Sequence, residues 1–107
     1  MPAFEIEIAD LAAEELRAIR LFDRRRILEQ IHSQLETQPA IATRNRKRLD
    51  GAIPDFEHVP PIWELRVGEF RVFYDVDELA GFVAIRAVRR KLQRQTTEDV
   101  IHERDND

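Results

Sequence analysis

The segment Trp63–Asp77, WELRVGEFRVFYDVD, constrains this chain more than any other. Two runs rich in β-branched and aromatic residues flank Gly68-Glu69, and glycine in the first central position favours a type II′ two-residue hairpin turn. With the turn fixed, the register follows. Val67 faces Phe70, Arg66 faces Arg71, Leu65 faces Val72, Glu64 faces Phe73, and Trp63 faces Tyr74. Because side chains alternate between faces, Trp63, Leu65, Val67, Phe70, Val72 and Tyr74 share one apolar face that other elements must cover. Glu64, Arg66, Arg71 and Phe73 share the other. FVAIRAV, after DELAG, reads as a third antiparallel strand. Strict alternation puts Val83, Ile85 and Ala87 on the apolar face and Phe82, Ala84, Arg86 and Val88 opposite, with Arg86 near Phe73 and Arg71.

Upstream, FEIEIA alternates Phe4, Ile6 and Ile8 with glutamates, as a half-buried strand does. Asp10 suits a helix N-cap. Ala12, Leu16, Ile19 and Phe22 recur at helical spacing, and Asp23 offers a second cap before Ile27, Leu28, Ile31 and Leu35. The short link at 21–23 makes these segments a helix hairpin. Residues 38–61 hold Pro39, Gly51, Pro54, Pro60 and Pro61 and read as an irregular stretch. TTEDVIHERD reads as a short terminal helix, with Thr96 and Asp99 in a weak capping box; two apolar residues, Val100 and Ile101, leave it prone to fray. The expected architecture is α+β: an N-terminal strand and a helix hairpin on one face of an antiparallel sheet, with a short C-terminal helix. Residues 1–107 are expected to form a single domain with an acidic tail at 96–107.

Composition excludes several chemistries. Without cysteine there are no disulfides, thiol nucleophiles or cysteine-ligated zinc. His32, His58 and His102 lack a ligand spacing, so no metal is expected, and no phosphate-binding glycine loop or dinucleotide fingerprint calls for a cofactor. The opening MPAFEIEIAD is acidic and alternating, unlike a signal peptide, and no run is long enough to span a membrane, so a cytoplasmic protein is expected. Net charge is −4, but it is segregated. RNRKR (44–48) carries four positive charges and RAVRRKLQR (86–94) five, with no acid in either, whereas 96–107 carries a net −4. Such segregation points to a polyanion partner, with the tail near the 86–94 block as a weak competitor.

The arginines facing each other across the hairpin repel by roughly 0.2–1 kcal/mol. Local pairing with Glu64, Glu69 or Asp75 offsets this; so would a bound phosphate, held by the guanidinium fork. Phe73 among arginines suits stacking on an unpaired base.

RKRLDG, WELRVGEFRVFYDVD and AIRAVRRK, in this order of elements, resemble the RelE/ParE superfamily of type II toxin–antitoxin toxins over about residues 4–95. The resemblance implies a cognate antitoxin as partner. It also implies one of two activities: RelE-like members cleave mRNA on the ribosome, while ParE-like members share the fold and inhibit gyrase. By resemblance, Arg71 falls on the family's sheet arginine, and Arg89, Arg90 and Lys91 on the basic segment after the last strand. The leading expectation is therefore a ribosome-dependent mRNA endoribonuclease, with Arg71, Lys91 and Glu64 as candidate catalytic residues. Arg66, Phe73, Arg86, Arg89, Arg90, Arg46 and Lys47 are the candidate RNA-binding residues. KLQRQTTEDV lacks the Tyr or His that RNA-cleaving relatives often carry near the C-terminus. A gyrase inhibitor without nuclease activity, or a toxin fold that only binds its antitoxin, are the alternatives.

Overall fold

The computed structural model describes residues 3–103. In chain order the elements are β1 (Glu5–Ile8), α1 (Asp10–Arg17), α2 (Leu21–Leu35), β2 (Arg46–Leu49), β3 (Ile62–Val67), β4 (Phe70–Asp77), β5 (Phe82–Arg90) and α3 (Thr97–Ile101). The strands form one five-stranded sheet in the order β1-β5-β4-β3-β2. β1 runs parallel to β5; the other neighbours are antiparallel. No described helix is long and apolar enough to cross a membrane.

The central hairpin has the register its sequence dictates, from Trp63↔Tyr74 to Val67↔Phe70. Gly68 has φ +57° while no described non-glycine residue has positive φ, which is the type II′ pattern. The helix side buries Ala12 and Leu16 of α1, Ile27, Ile31 and Leu35 of α2, and the apolar faces of β3, β4 and β5. Arg24 joins the helices: its guanidinium donates to the carbonyls of Leu16 (3.0 Å) and Ile19 (2.9 Å) at and just beyond the end of α1.

Phe22 departs from the expected stripe and is 70% exposed. Once α1 ends at Arg17, Ile27, Ile31 and Leu35 set the phase of α2. At 100° per residue, Phe22 lies about 140° from Ile27. Asp23, one turn before Ile27, takes the inward position and is buried against Arg20 at 2.7 Å, so it sits in the first turn of α2 rather than capping it.

The stretch expected to be irregular contains a strand, β2. Its sequence, RKRL, hides the signal because charged side chains suit an edge strand. Alternation also breaks in β5. Phe73 faces Ala87 and Tyr74 faces Ile85, so Arg86 is the extra residue of a bulge. Val83 and Ile85 keep their expected face, but Val88 moves to the helix-side core and Ala87 to the far side. Arg86 consequently sits beside Asp75, at 2.7 Å, instead of near Phe73 and Arg71. Arg89 takes the position opposite Arg71.

The far side is covered over its centre. Phe56, Ile62, Phe73, Ala87, Val100 and Ile101 form a second core there, joined by Leu11, Leu49 and Ala52. The short C-terminal helix is thus anchored rather than frayed: Val100 and Ile101 are fully buried. A complete capping box starts it, with Asp99 N–H donating to Thr96 Oγ1 (3.2 Å) and Thr96 N–H to Asp99 Oδ2 (2.9 Å). The described part of the tail lies near the 86–94 block, since Arg89 donates to the Val100 carbonyl at 2.7 Å. Residues 104–107 lie outside the described residues.

Candidate functional site: a cationic cleft with a carboxylate floor

Past the edge of the second core, the far side opens into a cleft of about 280 Å³ between the 43–47 segment, β3, the start of β4, Lys91 and Thr97. A tight turn shapes one wall. Thr43 N–H donates to the Arg46 carbonyl (2.9 Å), Arg46 N–H returns to that of Thr43 (3.3 Å), and Arg66 N–H ties the turn to β3 through the Asn45 carbonyl (2.8 Å). This projects Arg44 and Lys47 at the rim, both exposed, beside exposed Arg66.

Glu64 forms the floor and is only 4% exposed. Arg71 Nε lies 3.1 Å from one carboxylate oxygen, and Lys47 Nζ lies 3.6 Å from the other, to which the Thr97 hydroxyl donates at 3.4 Å. Arg71 also donates from Nη1 to the carbonyls of Gly68 and Phe70, both at 2.8 Å. The like-charge contact across the hairpin is therefore offset locally by Glu64. Burial lowers the Arg71 pKa, Glu64 opposes that shift and Arg66 adds to it; a guanidinium starts so far above neutrality that Arg71 stays charged. Across the cleft, β5 ends where Lys91 N–H donates to the Glu69 carbonyl at 2.6 Å, which brings the Lys91 side chain into the lining.

Of the residues proposed from sequence, Glu64, Lys47, Arg66, Arg71 and Lys91 converge on this cleft. The others do not present free charge or an aromatic face there. Arg46 turns its side chain to the helix side and donates to the Gln34 carbonyl near the end of α2. Phe73 is fully buried beneath Phe56 and α3, so no base can reach its ring. Arg86 pairs with Asp75. Arg89 is 3% exposed, held by Glu15 (2.9 Å) and Asp55 (3.0 Å) over the Phe56 ring. Arg90 is exposed, lies over Phe70 and pairs with Glu69 at 3.1 Å. Sequence reasoning passed over Arg44 and Thr97. Arg44 stands in the basic block 44–48, and Thr97 joins the cleft only once α3 is docked.

None of the histidines lines the cleft. Tyr74 is buried on the helix side, its hydroxyl donating to the Pro39 carbonyl at 2.7 Å, and burial pushes its pKa up despite nearby Arg46. Among the described residues, no group of three or more His, Asp or Glu side chains is placed to hold a metal ion. What the cleft offers is a set of cations around one buried carboxylate, with Arg71 held in place and Lys47 and Arg66 exposed at the rim, a charge pattern suited to an anionic group such as a phosphodiester.

Residues 6–94 match the family described as the ParE toxin of the type II toxin–antitoxin system parDE. The chain belongs to this family, within the RelE/ParE superfamily of type II toxins. No curated protein matches it by sequence. Among solved structures, it resembles a chain of the RelBE2 toxin–antitoxin complex of Mycobacterium tuberculosis, with TM-score 0.66 and 18% identity over 85% of this chain and 100% of that one. It also resembles a chain of the archaeal RelE–RelB complex of Pyrococcus horikoshii, with TM-score 0.65 and 22% identity over 86% of this chain and 98% of that one. At these identities the likeness is one of fold.

Proposed function

We propose that this toxin halts translation by holding and cutting mRNA on the ribosome, and that a cognate antitoxin silences it by presenting Glu or Asp side chains to the same cleft. The observation that carries this reading is the convergence of Lys47, Arg66, Arg71 and Lys91 around the Glu64 carboxylate. RNA cleavage needs a base for the 2′-hydroxyl, charge stabilisation at phosphorus and an acid for the leaving oxygen. Glu64 accepts the 2′-hydroxyl proton as that oxygen bonds to phosphorus. Lys47, Arg66 and Arg71 bear the charge on the phosphoryl oxygens. Lys91 gives a proton to the departing 5′-oxygen, leaving a 2′,3′-cyclic phosphate and a 5′-hydroxyl. The ribosome supplies the extended mRNA conformation that brings the 2′-oxygen in line.

In vitro translation followed by primer extension tests this directly. Ribosome-dependent cuts should appear with the wild-type chain and disappear with Lys91→Met. Intact mRNA at toxin concentrations that stop growth would overturn the proposal. A second reading, inhibition of gyrase without RNA cleavage, draws on the lack of any His or Tyr in the cleft lining. Inhibited DNA supercoiling with intact mRNA would establish it. Antitoxin binding with neither effect would mark a toxin fold that has lost its activity.

A further inference from the structure

A second feature lies on the helix side, outside the cleft. The segment 17–26, RAIRLFDRRR, carries five arginines and one acid. At its centre Leu21 and Phe22 are 53% and 70% exposed, an unusual position for a phenylalanine on a helix whose inner stripe is well packed. The Arg20 guanidinium lies 5.9 Å from the Phe22 ring centroid, and Arg25 and Arg26 are exposed in the same patch. Its acids are few: Asp23 is buried and paired with Arg20, and Glu29 is exposed in the same lining as Arg25 and Arg26.

The patch and the cleft meet at the tip of the β3–β4 hairpin. Gly68 lacks a side chain, and the Arg26 guanidinium fills that space, within 3.5 Å of the Val67 carbonyl; a Cβ at Gly68 would collide with it. Arg66, Arg71 and Lys91 lie in the cleft beyond the tip, and Arg90 flanks it. Cations therefore run from Lys47 and Arg66 past Arg26 to Arg25, ending at an exposed aromatic ring.

We infer that the Phe22 patch is a second contact for single-stranded RNA, in which Phe22 stacks on an unpaired base while Arg25 and Arg26 hold the adjoining phosphates. The inference rests on the proposed RNA-binding role of the cleft and extends its footprint around the hairpin tip. RNA is favoured over an anionic membrane because the cations continue those of the cleft, whereas two apolar side chains give little to insert into lipid.

The test is fluorescence anisotropy with a labelled single-stranded RNA of about 15 nucleotides, with anionic phospholipid vesicles in parallel. Phe22→Ala should weaken RNA binding by roughly fivefold or more. Arg25→Gln should reduce the salt slope by about 0.7, the loss of one phosphate contact on a single strand. Phe22→Trp should restore affinity, with its indole emission quenched on RNA addition; the native Trp63 is buried and does not report on this surface. If Phe22→Ala binds as wild type while Lys47→Ala and Arg66→Ala weaken, RNA is confined to the cleft; this inference then fails and the proposed function stands. If the wild-type chain binds no RNA, this inference falls, while the proposed function is still decided by the ribosome-dependent cleavage assay. If Phe22→Ala loses vesicle binding and keeps RNA binding, the patch is a membrane contact and the inference is overturned.

Discussion

The two basic blocks look alike in sequence but divide their charges differently between surface and interior. RNRKR puts Arg44 and Lys47 at the cleft rim, with Lys47 bearing only a long 3.6 Å contact to Glu64. In RAVRRKLQR, Arg86 and Arg89 are spent internally, on Asp75 and on Glu15 with Asp55. One block lies on an edge strand and its turn, where long side chains reach solvent. The other begins on β5, second from the edge and flanked by α1, the 50–61 segment and α3, so Arg86 and Arg89 find carboxylates inside the fold, whereas Arg90, Lys91 and Arg94 at and beyond the strand's end reach the surface or the cleft. A cluster of cations in a sequence is therefore not a measure of available charge; the strand's place in the sheet decides that.

The largest expected effect would break this contrast if it were absent. Arg89→Ala should cost about 3–5 kcal/mol of stability, because it removes the cation from the buried Asp55 carboxylate and from half-buried Glu15. Urea denaturation monitored by circular dichroism measures this; a loss below 1 kcal/mol would mean that Arg89 is as free as Lys47. Ile101→Ala comes next, at about 2–5 kcal/mol, since its fully buried side chain pins α3 over Phe73. Stability equal to wild type would return α3 to a frayed end.

Lys47→Ala and Arg66→Ala should behave in the opposite way. Stability should change by no more than about 0.5 kcal/mol, while growth inhibition and RNA affinity fall. Full toxicity in both variants would remove the 44–48 block from the site. The smallest effect concerns Glu103, beside Arg89 and Arg90. Burial raises its pKa above the ordinary 4.5; Arg89 and Gln95 oppose the shift, and Glu15 and Asp55 add to it. A carboxyl with a raised folded pKa binds more protons when folded, so its ionisation reduces stability as pH rises. Glu103→Gln should thus be slightly more stable at pH 7, within about 0.5 kcal/mol, and the gain should vanish as pH falls below 4.5. Parallel melts at neutral and acid pH check the sign.

Local patterns in the chain determined much of this protein. The Gly68-Glu69 turn set the hairpin register, and alternation set which residues of β3 and β4 face the helices. The same count put Glu64, Arg66 and Arg71 on one face, and the capping residues of α3 were legible as Thr96 and Asp99. These follow from near-neighbour geometry, in which each residue's direction is fixed by those beside it. Contacts between distant segments decided the rest. The bulge at Arg86 breaks a period of two that the sequence keeps, and it moved Val88 inward and Arg89 opposite Arg71. α2 took its phase from the core rather than from α1, which left Phe22 outside and brought Asp23 in. Docking of the 50–61 segment and α3 buried Phe73 and left the cleft beside them. No local pattern encodes which partner satisfies a charge, because burial and pairing are set by surfaces that meet only after the chain has folded.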